Sequence, residues 1–153
     1  MPRGIHRLRV TQPIRESRDK VWRAFSDPTL ARQWAPDGCE VVSFAADMRV
    51  GGTFRERMSC GGTLYTAHGV YTKIIPGRTV VFTHQWEEEL PVETVVTVEF
   101  KDKKAATEIV LTQTGFREAS EAKGHREGWS SALASFARIV EAGGEPSTYK
   151  IAR

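Results

Sequence analysis

The sequence predicts an α+β domain in which a curved antiparallel sheet wraps around one long C-terminal helix, with two short helices after the first strand. Three observations predict it. From about Glu40 to Gln113 the apolar residues recur every second position, between turns that carry glycine or proline. From about Glu118 to Ala142 they recur every third or fourth position. A single long amphipathic helix must find a sheet to cover, so the two patterns belong to one core.

The elements follow in order. Ile5–Ile14 alternates as a first strand. Ser17 suits an N-cap, with Asp19 in the first turn of a helix through Phe25 whose apolar face is Val21, Trp22 and Phe25. Asp27 caps a second helix with Pro28 at its first position, where the missing N–H costs nothing, and the sequence predicts that this helix runs to about Trp34. Pro36-Asp37-Gly38 ends it. Glu40–Ala46 and Thr53–Cys60 form a strand pair joined through Gly51-Gly52; Leu64–Ile75 and Thr79–Trp86 form the next, turned at Pro76-Gly77. Glu93–Lys101 and Thr107–Gln113 form the last, turned through Asp102 to Ala105. Val96, Val98 and Phe100 share one face of their strand, and Glu93, Thr97 and Glu99 the other. The final helix carries the stripe His125, Trp129, Ala132, Leu133, Phe136 and Val140, and Gly143-Gly144 stops it.

A chain of 153 residues suits one domain, here residues 1–144 with a tail at 145–153. The net charge of +3 is too mild for a nucleic-acid surface, and Arg3, Arg7, Arg9, Arg55 and Arg57 read as solvated faces. No stretch approaches the roughly 20 apolar residues of a membrane span, and Met1–Val10 has no apolar core for a secretory signal. Cys39 and Cys60 are too few for a disulfide framework. The hairpin between them brings them roughly opposite, where a cross-strand disulfide is strained, so free thiols in a cytoplasmic protein are expected. Spare edge strands would allow a homodimer. No metal or cofactor is expected, since the histidines lie on separate elements and no CxxC, HxxxH or phosphate loop occurs.

A strongly curved sheet on a single helix leaves space that two layers of side chains do not fill. Gly124 and Gly128, four apart on the long helix, each cost about 1 kcal/mol against alanine, a cost tolerated where space stays open or backbone approaches closely. Phe82, His84 and Trp86 alternate onto one strand face opposite His125 and Trp129. The ligand-binding set expected from this placement is Trp22, Trp34, Phe54, Met58, His68, Phe82, His84, Trp86, Phe116, His125, Trp129 and Leu133.

Several stretches in this order resemble a known family: Val21-Trp22-Arg23-Ala24-Phe25-Ser26-Asp27-Pro28, Gln33-Trp34-Ala35-Pro36, Gly51-Gly52-Thr53-Phe54-Arg55, Val80-Val81-Phe82-Thr83-His84-Gln85-Trp86, Thr112-Gln113-Thr114-Gly115-Phe116 and Gly124-His125-Arg126-Glu127-Gly128-Trp129. They look like the activator-of-heat-shock-chaperone-ATPase homologues, a branch of the START and birch-pollen-allergen (SRPBCC) superfamily with the helix-grip fold. The resemblance implies a cavity for a small hydrophobic molecule, held by a carrier or sensor rather than an enzyme. Relatives often show two tryptophans and a glycine where this chain has Gln33 to Pro36, which puts an amide at the pocket end. Members that stimulate the chaperone ATPase carry a further N-terminal domain, for which this chain leaves no room.

Two alternatives stand beside that reading. A cyclase- or hydrolase-like enzyme would use His84 or His125 as base with Glu56 as partner, because burial and a carboxylate neighbour tune histidine across neutral pH. A chaperone-interacting module would need an exposed apolar or charged patch.

Overall fold

A computed structural model of the chain describes residues 4–88 and 92–143. The expected tail at 145–153 and the stop residue Gly144 lie outside the described residues. The element order is β1 (His6–Ile14), α1 (Arg18–Phe25), α2 (Pro28–Ala31), β2 (Cys39–Ala46), β3 (Thr53–Cys60), β4 (Thr63–Ile75), β5 (Thr79–Trp86), β6 (Thr94–Lys103), β7 (Ala106–Phe116) and α3 (Ala119–Glu141).

The strands form one antiparallel, curved sheet in the order β1-β7-β6-β5-β4-β3-β2. β1 and β2 follow one another along the chain yet occupy opposite edges. The connection between them must therefore cross the sheet, and α1 and α2 make that crossing: α1 contacts β6, β7 and α3, and α2 contacts β2. α3 lies on the same face, chiefly along β1 and β7. This is the helix-grip arrangement.

Local chemistry explains the boundaries. The Ser17 side chain accepts from the Lys20 N–H and the Asp27 side chain from the Thr29 N–H, so both short helices start on satisfied caps. α2 stops at Ala31, short of Trp34. Pro36 disfavours helical backbone at Ala35, and Trp34 instead turns inward, with ring centroids 5.8 Å from Phe25 and 5.0 Å from Phe136. β6 and β7 are longer than predicted because their ladder runs on to Lys103↔Ala106, leaving only Lys104 and Ala105 in the turn.

Alternation sets the two faces. Val96, Val98 and Phe100 are buried on β6, with Ile109, Leu111 and Gln113 beside them on β7. Phe136, Leu133 and Val140 of α3 are wholly buried against this part of the sheet, and each such side chain contributes about 1.5–3 kcal/mol through burial. The well-filled core thus lies between the β1–β7–β6 half of the sheet and the C-terminal half of α3.

The free thiols expected at Cys39 and Cys60 are corrected by the register. The β2–β3 ladder sets these residues directly opposite, with Cα atoms 4.1 Å apart, and their sulfurs are bonded.

Candidate functional site

Over the other half of the sheet, β2 to β5, the N-terminal half of α3 stands away from the strands. The space between them is a cavity of about 600 Å³. Its floor is built row by row from cross-strand partners, which share a face. Phe44 opposes Glu56, Glu56 opposes Ala67, and Ala67 opposes Trp86. Ala67, with a single methyl, stands between the longer side chains of Glu56 and Trp86, whose strands lie about 10 Å apart. In the next row Phe54 opposes Gly69. A Cβ on Gly69 would stand 2.6 Å from the Phe54 ring and closer still to the Thr83 carbonyl. Glycine there lets the Phe54 ring lie down toward Phe82, 5.3 Å away, and Tyr71, 5.9 Å away.

The roof is α3. A Cβ on Gly124 would meet nothing within 4 Å, and one on Gly128 would touch only the Pro36 ring. Both glycines border the cavity, as do His125 and Trp129. Pro36 belongs to the segment 32–38, which reaches α3 through a hydrogen bond from the Asp37 N–H to Ser131 Oγ, 3.0 Å. That segment, with Trp34 and Ala35, forms the side wall.

Hydrogen bonds fix three of the polar aromatic groups. Trp129 Nε1 donates to Gln113 Oε1 at 2.8 Å, while Gln113 Nε2 donates to Thr94 Oγ1, which in turn donates to the His84 carbonyl. The fully buried Gln113 therefore ties β5, β6, β7 and α3 together with each of its polar atoms used. Trp86 Nε1 donates to His125 Nε2 at 3.1 Å, so that nitrogen carries no proton and the ring is neutral, protonated at Nδ1. Burial holds both imidazoles neutral: it lowers His125 to about 4, and it lowers His84 to about 3 with help from the neighbouring histidines.

Glu56 is the reverse case. Its carboxyl has no hydrogen bond or ion pair to any described residue, and burial raises its pKa to about 7. It keeps some accessible surface only because it borders the cavity. The Tyr71 hydroxyl is pushed up to about 12 by burial and by the nearby Glu56 charge. Gln33 Oε1 and Trp34 Nε1 are buried with no hydrogen-bond partner among the described residues. The described residues contain no group of three or more metal-ligating side chains.

Comparison with known proteins bears on this arrangement. The sequence profile of the family described as "Activator of Hsp90 ATPase homolog 1-like protein" matches residues 15–141. The chain belongs to this family. Similar folds include protein CV1439 from Chromobacterium violaceum, 26% identical with a TM-score of 0.78 over 88% of this chain and 96% of that one. Mll3558 from Rhizobium loti is 28% identical with a TM-score of 0.75, over 87% and 95%. CalU16 from Micromonospora echinospora is 20% identical with a TM-score of 0.67, over 95% and 80%, a likeness of fold alone. No curated protein matches the chain.

In this family member, Trp34, Phe54, Met58, Phe82, His84, Trp86, His125 and Trp129 border the cavity, and so does Glu56. Four other residues of the sequence-derived set do not. Trp22 turns into the core against Phe100, at 5.2 Å. Leu133 is fully buried one turn beyond the cavity. Phe116 packs on His125 from behind, at 4.8 Å, facing a smaller recess. His68 points to the outer face: it pairs across strands with Arg55 and Gln85, and its Nδ1 lies 3.0 Å from the Glu87 carboxylate, which also binds Arg55. A parity of one residue separates it from Ala67, and parity decides the face. Glu56 forms no direct hydrogen bond with either His84 or His125 among the described residues, and all three border the cavity. Sequence reasoning missed Tyr71, Phe25, Phe44 and Gln113. For Tyr71 the signal was available, since it shares parity with Ala67 and Gly69. Phe44 lies beyond a register shift that the sequence does not announce.

Proposed function

We propose that the protein binds a small hydrophobic molecule in the cavity between sheet and α3, as a carrier or sensor. The observation that supports this most is the combination of size and lining. About 600 Å³ is typical of a small-molecule site, and the wall is mostly aromatic and aliphatic with few polar groups. Glycine at both roof positions favours open space over helix stability. Membership of the family supports the same reading. No described helix is long and apolar enough to cross a membrane, and the proposal needs none.

Native mass spectrometry of freshly purified protein, set against its denatured mass, tests it. An added mass that vanishes on denaturation is the expected result. A protein that stays apo, and takes up no apolar compound from a screen of aromatic and aliphatic molecules, would contradict it.

A second reading, acid–base catalysis, is favoured by the place of Glu56 at the cavity wall, where burial pushes its pKa up to about 7 and a carboxyl can both take and give a proton. In that case Glu56 is the reactive group by itself. His84 and His125 border the same cavity in their neutral form, and their lowered values make them weaker bases than an unperturbed imidazole. Turnover by any screened substrate that disappears in Glu56→Gln would establish this reading; turnover unaffected by that change would remove it.

A further inference from the structure

The charged groups bordering the cavity have one sign. Glu56 lies inside it, and Asp37 and Glu127 stand at its exposed rim. Among the described residues no lysine or arginine borders it. The two imidazoles there supply no cation, since His125 Nε2 accepts from Trp86 and His84 is buried. The carboxyl of Glu56, at the cavity wall, has no hydrogen bond or ion pair to any described residue. The rings of Trp34, Phe54, Phe82, Trp86 and Trp129 border the same cavity, and aromatic faces attract cations through their quadrupoles. A carboxylate set among aromatic faces, with acidic groups at the entrance, is complementary to a positive charge carried on an apolar body.

We propose that the cavity selects lipophilic amines, molecules with an aromatic-sized apolar body and one protonated nitrogen that seats against the Glu56 carboxyl. This rests on the reading of the cavity as a small-molecule site and adds the charge of the ligand and the position of its polar group. An amine satisfies two needs together. Its N–H groups give the carboxyl the partners that the fold does not, and its charge offsets the burial of an ionised carboxylate. A carboxylate-bearing ligand, such as a fatty acid, meets Glu56 with like charge and finds no cation in the wall. The mild positive charge of the whole chain does not reverse this preference, because the local groups are acidic and distant charges are screened in salt.

The test uses three probes with one body, 4-phenylbutylamine, 4-phenylbutanol and 4-phenylbutyrate, titrated into the full chain at about pH 8, where the amine is cationic and the acid ionised. Calorimetry and tryptophan fluorescence report binding. The amine is expected to bind at least about tenfold more tightly than the alcohol, with the butyrate weakest. In Glu56→Gln, which keeps the side-chain shape, the ratio of amine to alcohol affinity should fall to within about twofold. Equal affinity for amine and alcohol in the unmodified protein would overturn the inference and leave the cavity reading standing; that comparison needs no variant. Failure of all three probes to bind would overturn both.

Discussion

Glu56 and the two cavity histidines pull stability in opposite directions with pH. The Glu56 pKa rises from 4.5 to about 7 on folding, so the folded protein keeps this proton to higher pH than the unfolded chain does. Its contribution is therefore neutral below about pH 4.5 and becomes unfavourable as pH climbs to about 7, reaching about 3 kcal/mol. Glu56→Gln removes that penalty. The variant should be more stable than the unmodified protein by up to about 3 kcal/mol at pH 8, with the difference vanishing below about pH 4.5. Urea unfolding at several pH values checks it, and a variant less stable at pH 8 would show that the carboxylate has a partner. His84 and His125 act oppositely. Their depressed values mean that the unfolded chain takes up protons below about pH 6.5 while the fold does not, so stability is lost on acidification. At this scale the sequence was only partly legible. The aromatic composition of the site could be read from spacing, and so could Glu56, which shares the Phe54 face. The protonation of Glu56 could not, because it follows from burial, and burial is set by tertiary packing. His68 shows the same limit: one residue of strand parity carried it to the outer face.

Elements explain why the cavity stays open. α3 is a continuous helix through two glycines that it does not need for a turn, and a side chain at Gly124 would project into free space. Gly124→Ala should stabilise the fold by about 1 kcal/mol through helix propensity. It should also weaken ligand binding by narrowing the roof, a trade that thermal unfolding and a binding titration together would reveal. A loss of stability would place Gly124 in tight contact instead. At the side wall, the Cys39–Cys60 bond anchors the start of β2, immediately after the 32–38 segment. Reduction should destabilise the protein by about 3 kcal/mol, the chain-entropy value for a loop of this length. Intact mass under non-reducing conditions, about 2 Da below the reduced mass, would show the bond in the isolated protein; equal masses would restore the free thiols that the sequence suggests. Strand and long-helix positions were legible because period two and period 3.6 are written along the chain. The length of α2 was not, since Trp34 fits the helical pattern but is drawn inward by Phe25 and Phe136.

At the scale of the whole molecule, one feature of topology does most to create the site. β1 and β2 lie on opposite edges of a seven-stranded sheet, so the chain between them must cross the concave face. One half of that face is filled by α3 and the wholly buried side chains of β6 and β7. The other half is only walled. This division was visible in outline from the order of periodic segments, and the family resemblance agreed with it. The volume and the acidic lining were not, because both depend on how far the N-terminal half of α3 stands from the strands. The four tryptophans offer a direct report on that division. Trp34, Trp86 and Trp129 border the cavity, while Trp22 is packed on Phe100.

The most direct test is a titration of isotope-labelled protein with a small apolar probe, 4-phenylbutanol, followed by the four indole N–H resonances. The cavity-binding account predicts that the signals of Trp34, Trp86 and Trp129 shift together and saturate while that of Trp22 holds still. Saturable binding that moves Trp22 and leaves the other three unchanged, or no shift at any of them, would contradict it.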